Sequence, residues 1–334
     1  MGAVTNTITV PQSLSLLLAA GTLVAGVATA SAGTAAAAPA AVTKTVVIGL
    51  DGTMLDQVKS ANTPNLHRLI AEGTSGQSSI LGHPTISGPS WSTILTGVWH
   101  TKHGVVDNSF DGSRYDRYPT AFTRIEQAKP ELRTASISTW GGIATIAGSG
   151  NPDADVVATT PGAGSEAATD AATATAVAAE ITSNGPDFVF TQLDQVDGAG
   201  HSSGTAGPEY VPALERVDAE VGKIVGAVDA RSKSTGEKWT ILVTADHGHK
   251  PAGGHGGQSA AEASTFVIAR GPGYLPGATD DGYTIADIAP TVLANLGVAQ
   301  PADLDGAPLA KTAAPATGSL GPLPSWIPTG SLGS

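Results

Sequence analysis

Residues 44–51 read KTVVIGLD, a strand-length apolar run that ends on an aspartate. Such a run, rich in Val and Ile and without polar alternation, is expected of a buried strand. Working outward, the same pattern recurs at Arg133–Thr139 (RTASIST), Phe188–Leu193 (FVFTQL), Trp239–Thr244 (WTILVT) and Thr265–Ala269 (TFVIA). Helix signals lie between them. Thr63-Pro64 offers a cap and a first-turn proline, Leu66, Leu69 and Ile70 share a face, and Gly73 closes it. The spacing of Val211, Leu214, Val217, Val221, Ile224, Val225 and Val228 predicts a helix over about Tyr210–Lys233. Another is expected over Ile285–Leu296, closed by Gly297. Alternating strands and helices predict an α/β fold, a mostly parallel sheet covered on both faces.

The chain has 334 residues, with Lys+Arg 17 against Asp+Glu 29 and a formal charge of −12. It has no cysteine, which excludes disulfides, thiolate metal sites and a cysteine nucleophile. The acidic balance and the lack of a basic run argue against a nucleic-acid partner or an anionic membrane surface. Residues 1–40 contain no Lys, Arg, Asp or Glu, and an apolar stretch from Leu14 to Ala28 leads into Ala30-Ser31-Ala32. This reads as an export signal, although its start lacks the usual basic residue; Ala38-Pro39-Ala40 is a second small-x-small site. The stretch is short and Ala/Gly/Thr-rich, so no stable membrane span is expected. A secreted or envelope-associated protein is expected instead. Residues 312–334 are Ala/Pro/Gly/Ser-rich and read as a flexible tail, which leaves residues 42–309 as one catalytic domain.

In parallel α/β sheets, working residues gather at the carboxyl ends of strands. Asp51 follows the first run, Asp197 and His201 follow FVFTQL, and Asp246-His247 follows WTILVT. His255 lies beyond, in the glycine loop GGHGG. Imidazole and carboxylate are ligands for a borderline cation such as zinc when thiolates are absent. Six ligands are too many for one tetrahedral ion and suit two ions sharing a substrate. Each residue alone has an ordinary structural explanation, as a helix cap or a solvated loop side chain. Their joint placement is the signal. His249 and Lys250 stand beside these ligands and read equally as substrate contacts or bystanders, while His83, His100 and His103 flank the next segment.

Residues 83–108 read HPTISGPSWSTILTGVWHTKHGVVDN. Pro84 and Pro89 bracket Ser87, and Ser90 to Leu95 reads as the first turns of a helix; a hydroxyl at a helix N-terminus near two cations would be readily deprotonated, which makes Ser87 a candidate nucleophile. Free amides at that helix start suit a phosphate oxygen.

The order of these motifs resembles the alkaline phosphatase superfamily, most closely its type I phosphodiesterase/nucleotide pyrophosphatase branch. PTISGPS matches that branch's nucleophile frame, Thr96-Gly97 its Thr-Gly pair, and HGVVDN its His-Gly segment. LDQVDGAGHSSG, TADHGH, GGHGG and DIAPTVLANLG with ADLDGAPL complete the set between Lys44 and Leu309. The resemblance implies a three-layer α/β/α sandwich and two divalent ions, zinc above all. It implies one ion on Asp197, His201 and His255, and the other on Asp51, Asp246 and His247 with the Ser87 hydroxyl. The activity it implies is phosphodiester hydrolysis through a covalent phosphoserine, on a small-molecule phosphoester. Phosphomonoester hydrolysis is the alternative; a sulfatase or a non-catalytic exported binding protein is less favoured.

Two departures are visible. Ser87 stands where the diesterases carry Thr, and Ser90 replaces an Asn that helps hold a phosphate oxygen, so Ser90 is the expected substrate contact. Trp91 occupies the position of the sulfatase arginine. Monoesterases commonly add a positive clamp, yet no Arg lies between Arg68 and Arg114. Lys102, Arg114 and Lys250 are the nearby alternatives. Trp91, Trp99 and Trp140 read either as core or as apolar walls for an organic ester group. The segment between Asn108 and Asp187 leaves little room for the insertion domain of phosphoglycerate mutases.

Overall fold

A computed structural model describes Gly2 and residues 43–311. The expected export signal and the 312–334 tail lie outside the described residues, Gly2 apart. Eight strands form one sheet: β1 (Lys44–Leu50), β2 (Thr74–Ser79), β3 (Thr134–Ser138), β4 (Val156–Thr159), β5 (Phe188–Leu193), β6 (Trp239–Thr244), β7 (Ser264–Arg270) and β8 (Ala278–Thr279). Their order is β4-β3-β5-β1-β6-β7-β2-β8. The first five in that order run parallel, and β7 alone runs against both neighbours, β6 and β2. The sheet is mixed, mostly parallel, as expected.

Side-chain alternation along β1 divides the core. Val47 joins one apolar cluster, with Trp91, Phe122, Phe188, Phe190 and Val292. Val46, Ile48 and Leu50 join the other, with Leu66, Val177, Val217, Ile224 and Ile241. The first face is covered by α3 (Ser87–Thr96), α5 (Ala121–Ala128), α6 (Gly141–Ala147) and α10 (Ile288–Asn295). The second is covered by α1 (Leu55–Ser60), α2 (Pro64–Glu72), α7 (Glu166–Asn184) and α9 (Tyr210–Thr235). α4 (His100–His103) follows α3, and α8 (Gln195–Ser203) follows β5 and adds Val196 and Ala199 to the second cluster. This is the expected α/β/α sandwich, because a sheet apolar on both faces must bury both. Among the described residues no helix is long and apolar enough to cross a membrane.

The central strands decide where the chemistry lies. β5, β1 and β6 are adjacent and parallel, so their carboxyl ends deliver Asp194–His201, Asp51 and Asp246-His247 to one edge. β2 runs the same way two places further on and feeds α3, whose first residue is Ser87.

Candidate active site

Asp51, Asp246 and His247 are almost wholly buried and bring their donor atoms to one point. His247 Nε2 is 3.2 Å from Asp246 Oδ2, 3.5 Å from Asp51 Oδ1 and 3.3 Å from Ser87 Oγ. Asp51 Oδ1 and Asp246 Oδ2 are buried and have no hydrogen-bond partner among the described residues. Unpartnered carboxylate oxygens in a protein interior demand a proton or a cation. Burial, reinforced by neighbouring carboxylates, holds both acids well above the usual carboxylate range.

The other oxygen of Asp51 is fixed. Its Oδ2 accepts from the Trp91 indole Nε1–H and from Gln192 Nε2, both at 2.9 Å. Trp91, fully buried, is therefore a core residue that orients a site carboxylate.

A second group lies alongside. His255 Nε2 is 3.0 Å from His201 Nε2 and 3.6 Å from Asp197 Oδ1, and His201 Nε2 is 3.3 Å from Asp197 Oδ2. Burial alone would raise Asp197, but hydrogen bonds from His201 and His249 overcome it and hold the carboxyl well below its ordinary range. The Asp197 carboxylate in turn raises His201, whereas burial lowers His255 and His247. The His247 and His255 rings stack at 3.7 Å, so the two groups abut.

The imidazoles are oriented for ligation. His255 Nδ1–H donates to Thr85 O at 2.7 Å, and His247 Nδ1–H faces Gly248 O at 3.3 Å. A backbone carbonyl on one ring nitrogen fixes the tautomer and leaves the Nε2 lone pair pointing inward. Donor chemistry, unpartnered oxygens and tautomers all fit divalent cations. The residues that could hold them fall in two sets: Asp51, Asp246 and His247, and Asp197, His247, His249 and His255, with His201 at the rim.

All six expected ligands thus converge, and Ser87 joins them from the start of α3. Two residues depart from expectation. Ser90 is not brought to this cavity: its hydroxyl bonds Pro84 O at 3.2 Å, in a cleft lined by His83, Trp99 and His100. Asn108 lies beside Ser87 instead, its Oδ1 accepting from Gly88 N at 2.7 Å. The sequence signal for it was the final residue of HGVVDN. His249, left open by the sequence, is buried against Asp197, with Nε2 2.7 Å from Oδ1.

A cavity of about 200 Å³ opens over Ser87, Asn108 and Asp197, with Trp140 and Asp194 on its wall. Among the described residues no Lys or Arg lines it. Lys102 is engaged by Asp305, Arg114 by the Thr101 carbonyl, and Lys250 faces Glu262 at 3.9 Å. Trp99 stacks on His83 at 3.8 Å, so of the three tryptophans only Trp140 reaches this cavity.

The profile of the type I phosphodiesterase / nucleotide pyrophosphatase family matches residues 45–259, well over half of the chain, a span that includes Ser87, Asn108 and all six candidate ligands. The chain belongs to that family. Type I phosphodiesterases are divalent-metal-dependent phosphoryl-transfer enzymes. This family member is also similar to a 2,3-bisphosphoglycerate-independent phosphoglycerate mutase of Rhodopirellula baltica, 31% identical over 140 residues, 40% of this chain and 24% of that protein. A phosphopentomutase of Methylobacterium is 38% identical over 141 residues, 42% of this chain and 31% of that protein. The similarity thus spans less than a third of these relatives' length. Among solved structures, murine ectonucleotide pyrophosphatase/phosphodiesterase 5 in complex with AMP superposes with a TM-score of 0.60 at 14% identity. That match covers 77% of this chain and 96% of the other. A 2-O GAG sulfatase gives 0.63 at 13% identity, over 80% and 73%. Both likenesses establish the alkaline phosphatase-like α/β fold.

Proposed function

We propose that the chain is an exported two-metal phosphodiesterase that works through a covalent phosphoserine on Ser87. The observation that carries this reading is the pair of buried, unpartnered oxygens of Asp51 and Asp246, beside His247 Nε2 and the Ser87 hydroxyl. Asp51, Asp246, His247 and Ser87 Oγ would hold one zinc ion, and Asp197, His201 and His255 the other. Such ions supply a lowered hydroxyl pKa and charge neutralisation on the phosphoryl oxygens.

The chain's own residues do the rest. The α3 N-terminus fixes Ser87 and favours negative charge on Oγ. Ser87 gives its proton to solvent, and Oγ bonds phosphorus as the ester P–O bond breaks in line and the alcohol leaves. Water then attacks phosphorus in this serine-linked intermediate, which keeps the second ester arm; the Oγ–P bond breaks, the monoester of that arm leaves, and Ser87 regains a proton. Asn108 commits Oδ1 to Gly88 N, which leaves its Nδ2 as a donor to a phosphoryl oxygen. The absence of Lys and Arg from the cavity favours a singly charged diester over a doubly charged monoester.

The test is a panel of nitrophenyl phosphate, bis-nitrophenyl phosphate and nitrophenyl sulfate with zinc-loaded protein. The reading requires the diester to be hydrolysed with the highest kcat/KM. Preference for the sulfate, or no turnover of any ester, would overturn it.

A further inference from the structure

Two further imidazoles meet outside the catalytic cavity. His83 Nδ1 is 3.2 Å from His100 Nδ1, and the two ring planes cross at 82°. Among the described residues neither side chain makes another hydrogen bond or an ion pair. A hydrogen bond between the two nitrogens uses one lone pair and one N–H, so it serves only one tautomer of each ring. A divalent cation would use both lone pairs. Two nitrogens that each lie about 2.0–2.1 Å from one ion, at a near-tetrahedral angle, stand about 3.1–3.4 Å apart. The observed separation falls inside that range.

The surroundings hold the pair ready. Trp99 stacks on the His83 ring at 3.8 Å. Gln258 grips the backbone on that side, its Oε1 accepting from Gly82 N and its Nε2 donating to His83 O, both at 2.8 Å. His100 is the first residue of α4. Burial lowers the pKa of both rings, and for His83 the neighbouring His100 adds to it. Asp305 pulls His83 the other way, but its oxygens are engaged by Lys102 Nζ and Trp99 N, and burial wins. Both rings are therefore neutral near pH 7, the form that binds metal.

The Ser90 and Thr93 hydroxyls line the same cleft, and both are spent within the chain, on Pro84 O and Pro89 O. Two imidazoles are then the protein's donors, with water to complete the coordination. Such nitrogen donors favour zinc, copper or nickel over magnesium or calcium.

We infer that His83 and His100 form an auxiliary site for a zinc-class divalent cation, apart from the catalytic groups. An ion there ties the segment that leads into Ser87 to the start of α4. With two protein ligands it is held more weakly than in the buried groups, so dialysis empties this site first. The inference does not depend on which ester the chain hydrolyses.

The experiment adds zinc chloride to the dialysed, zinc-loaded full chain and follows uptake by isothermal titration calorimetry. The wild type is compared with His100→Gln and with His83→Phe, which keeps the stack on Trp99 but has no ring nitrogen. Circular dichroism checks that each variant is folded. The wild type should take up one more zinc per chain than either variant. Copper(II) in place of zinc should give an electron paramagnetic resonance signal with coupling to two imidazole nitrogens, lost in both variants. Equal zinc uptake by all three proteins overturns the site. Uptake lost in one variant and kept in the other overturns the pairing of the two rings.

Discussion

His249 Nε2 lies 2.7 Å from Asp197 Oδ1, and the imidazole is wholly buried. The backbone makes room for it. A Cβ at Gly200 or Gly52 would come within 2.4 Å and 2.6 Å of the ring, so only glycine at these two positions lets it reach Asp197. The bond fixes one carboxylate oxygen and leaves Oδ2 toward His201.

His249→Asn removes the donor to Asp197 Oδ1 and keeps the His201 and His255 imidazoles themselves. Removal of a group that orients a ligand lowers metal affinity by about 10–100-fold. Chelator competition should show one zinc site weakened by that factor and the other unchanged.

Ser87→Ala removes the nucleophile but none of the carboxylate or imidazole donors. Turnover of nitrophenyl diesters should fall by about a thousandfold or more. Bound metal, measured by elemental analysis, should stay close to two per chain. Wild-type turnover in this variant would exclude Ser87 as the attacking group.

Trp91 separates packing from orientation. Trp91→Phe keeps most of the buried ring and deletes only the indole N–H on Asp51 Oδ2. Affinity at the Asp51 set should drop by about tenfold or more, with little change in the unfolding midpoint of the metal-loaded protein. Trp91→Ala opens the core as well and should cost about 3–5 kcal/mol in denaturant unfolding.

His103 provides a pH signature outside the metal groups. Its Nδ1 accepts from Val105 N at 3.1 Å, so the ring is neutral and its Nε2–H donates to Thr93 Oγ1, also at 3.1 Å. Burial pushes its pKa down from 6.5 to about 3. The folded pKa lies below the unfolded one, so on acidification the unfolded chain takes the proton first. Stability from this group is intact above about pH 6.5 and is lost as pH falls toward 3. The loss is about 1.4 kcal/mol per pH unit in that window, or about 2 kcal/mol between pH 7 and 5. Urea unfolding of His103→Asn should show a pH slope shallower than wild type by that amount.

The sequence was legible where hydrophobic patterning is strong. β1, β5, β6 and β7 are apolar runs, and α9 repeats its valines at helical spacing, so their existence follows from burial alone. β2, TSGQSS, carries no large apolar side chain and is held by pairing with β7 and β8, a tertiary effect no local pattern encodes. α7 is rich in Ala and Thr and lacks a clear apolar stripe, so no local pattern marks it as a helix. The opposite direction of β7 was also hidden, because a strand's side-chain period is the same either way.

The site divides along similar lines. Asp and His after successive strands betrayed the ligand set, because parallel neighbours must end at one edge. Ser90, Asn108 and Gln192 were not legible in this way. Their roles depend on which rotamer faces the cavity, and neighbours distant in the chain decide that.

A pair of cations gripped between these side chains would be seen by anomalous diffraction at the zinc edge from crystals of the full chain grown with zinc. Two peaks about 3.5–4 Å apart are expected, one among Asp51, Asp246 and His247 and one among Asp197, His201 and His255. A single peak there, or zinc bound only elsewhere on the molecule, would rule out a two-cation site.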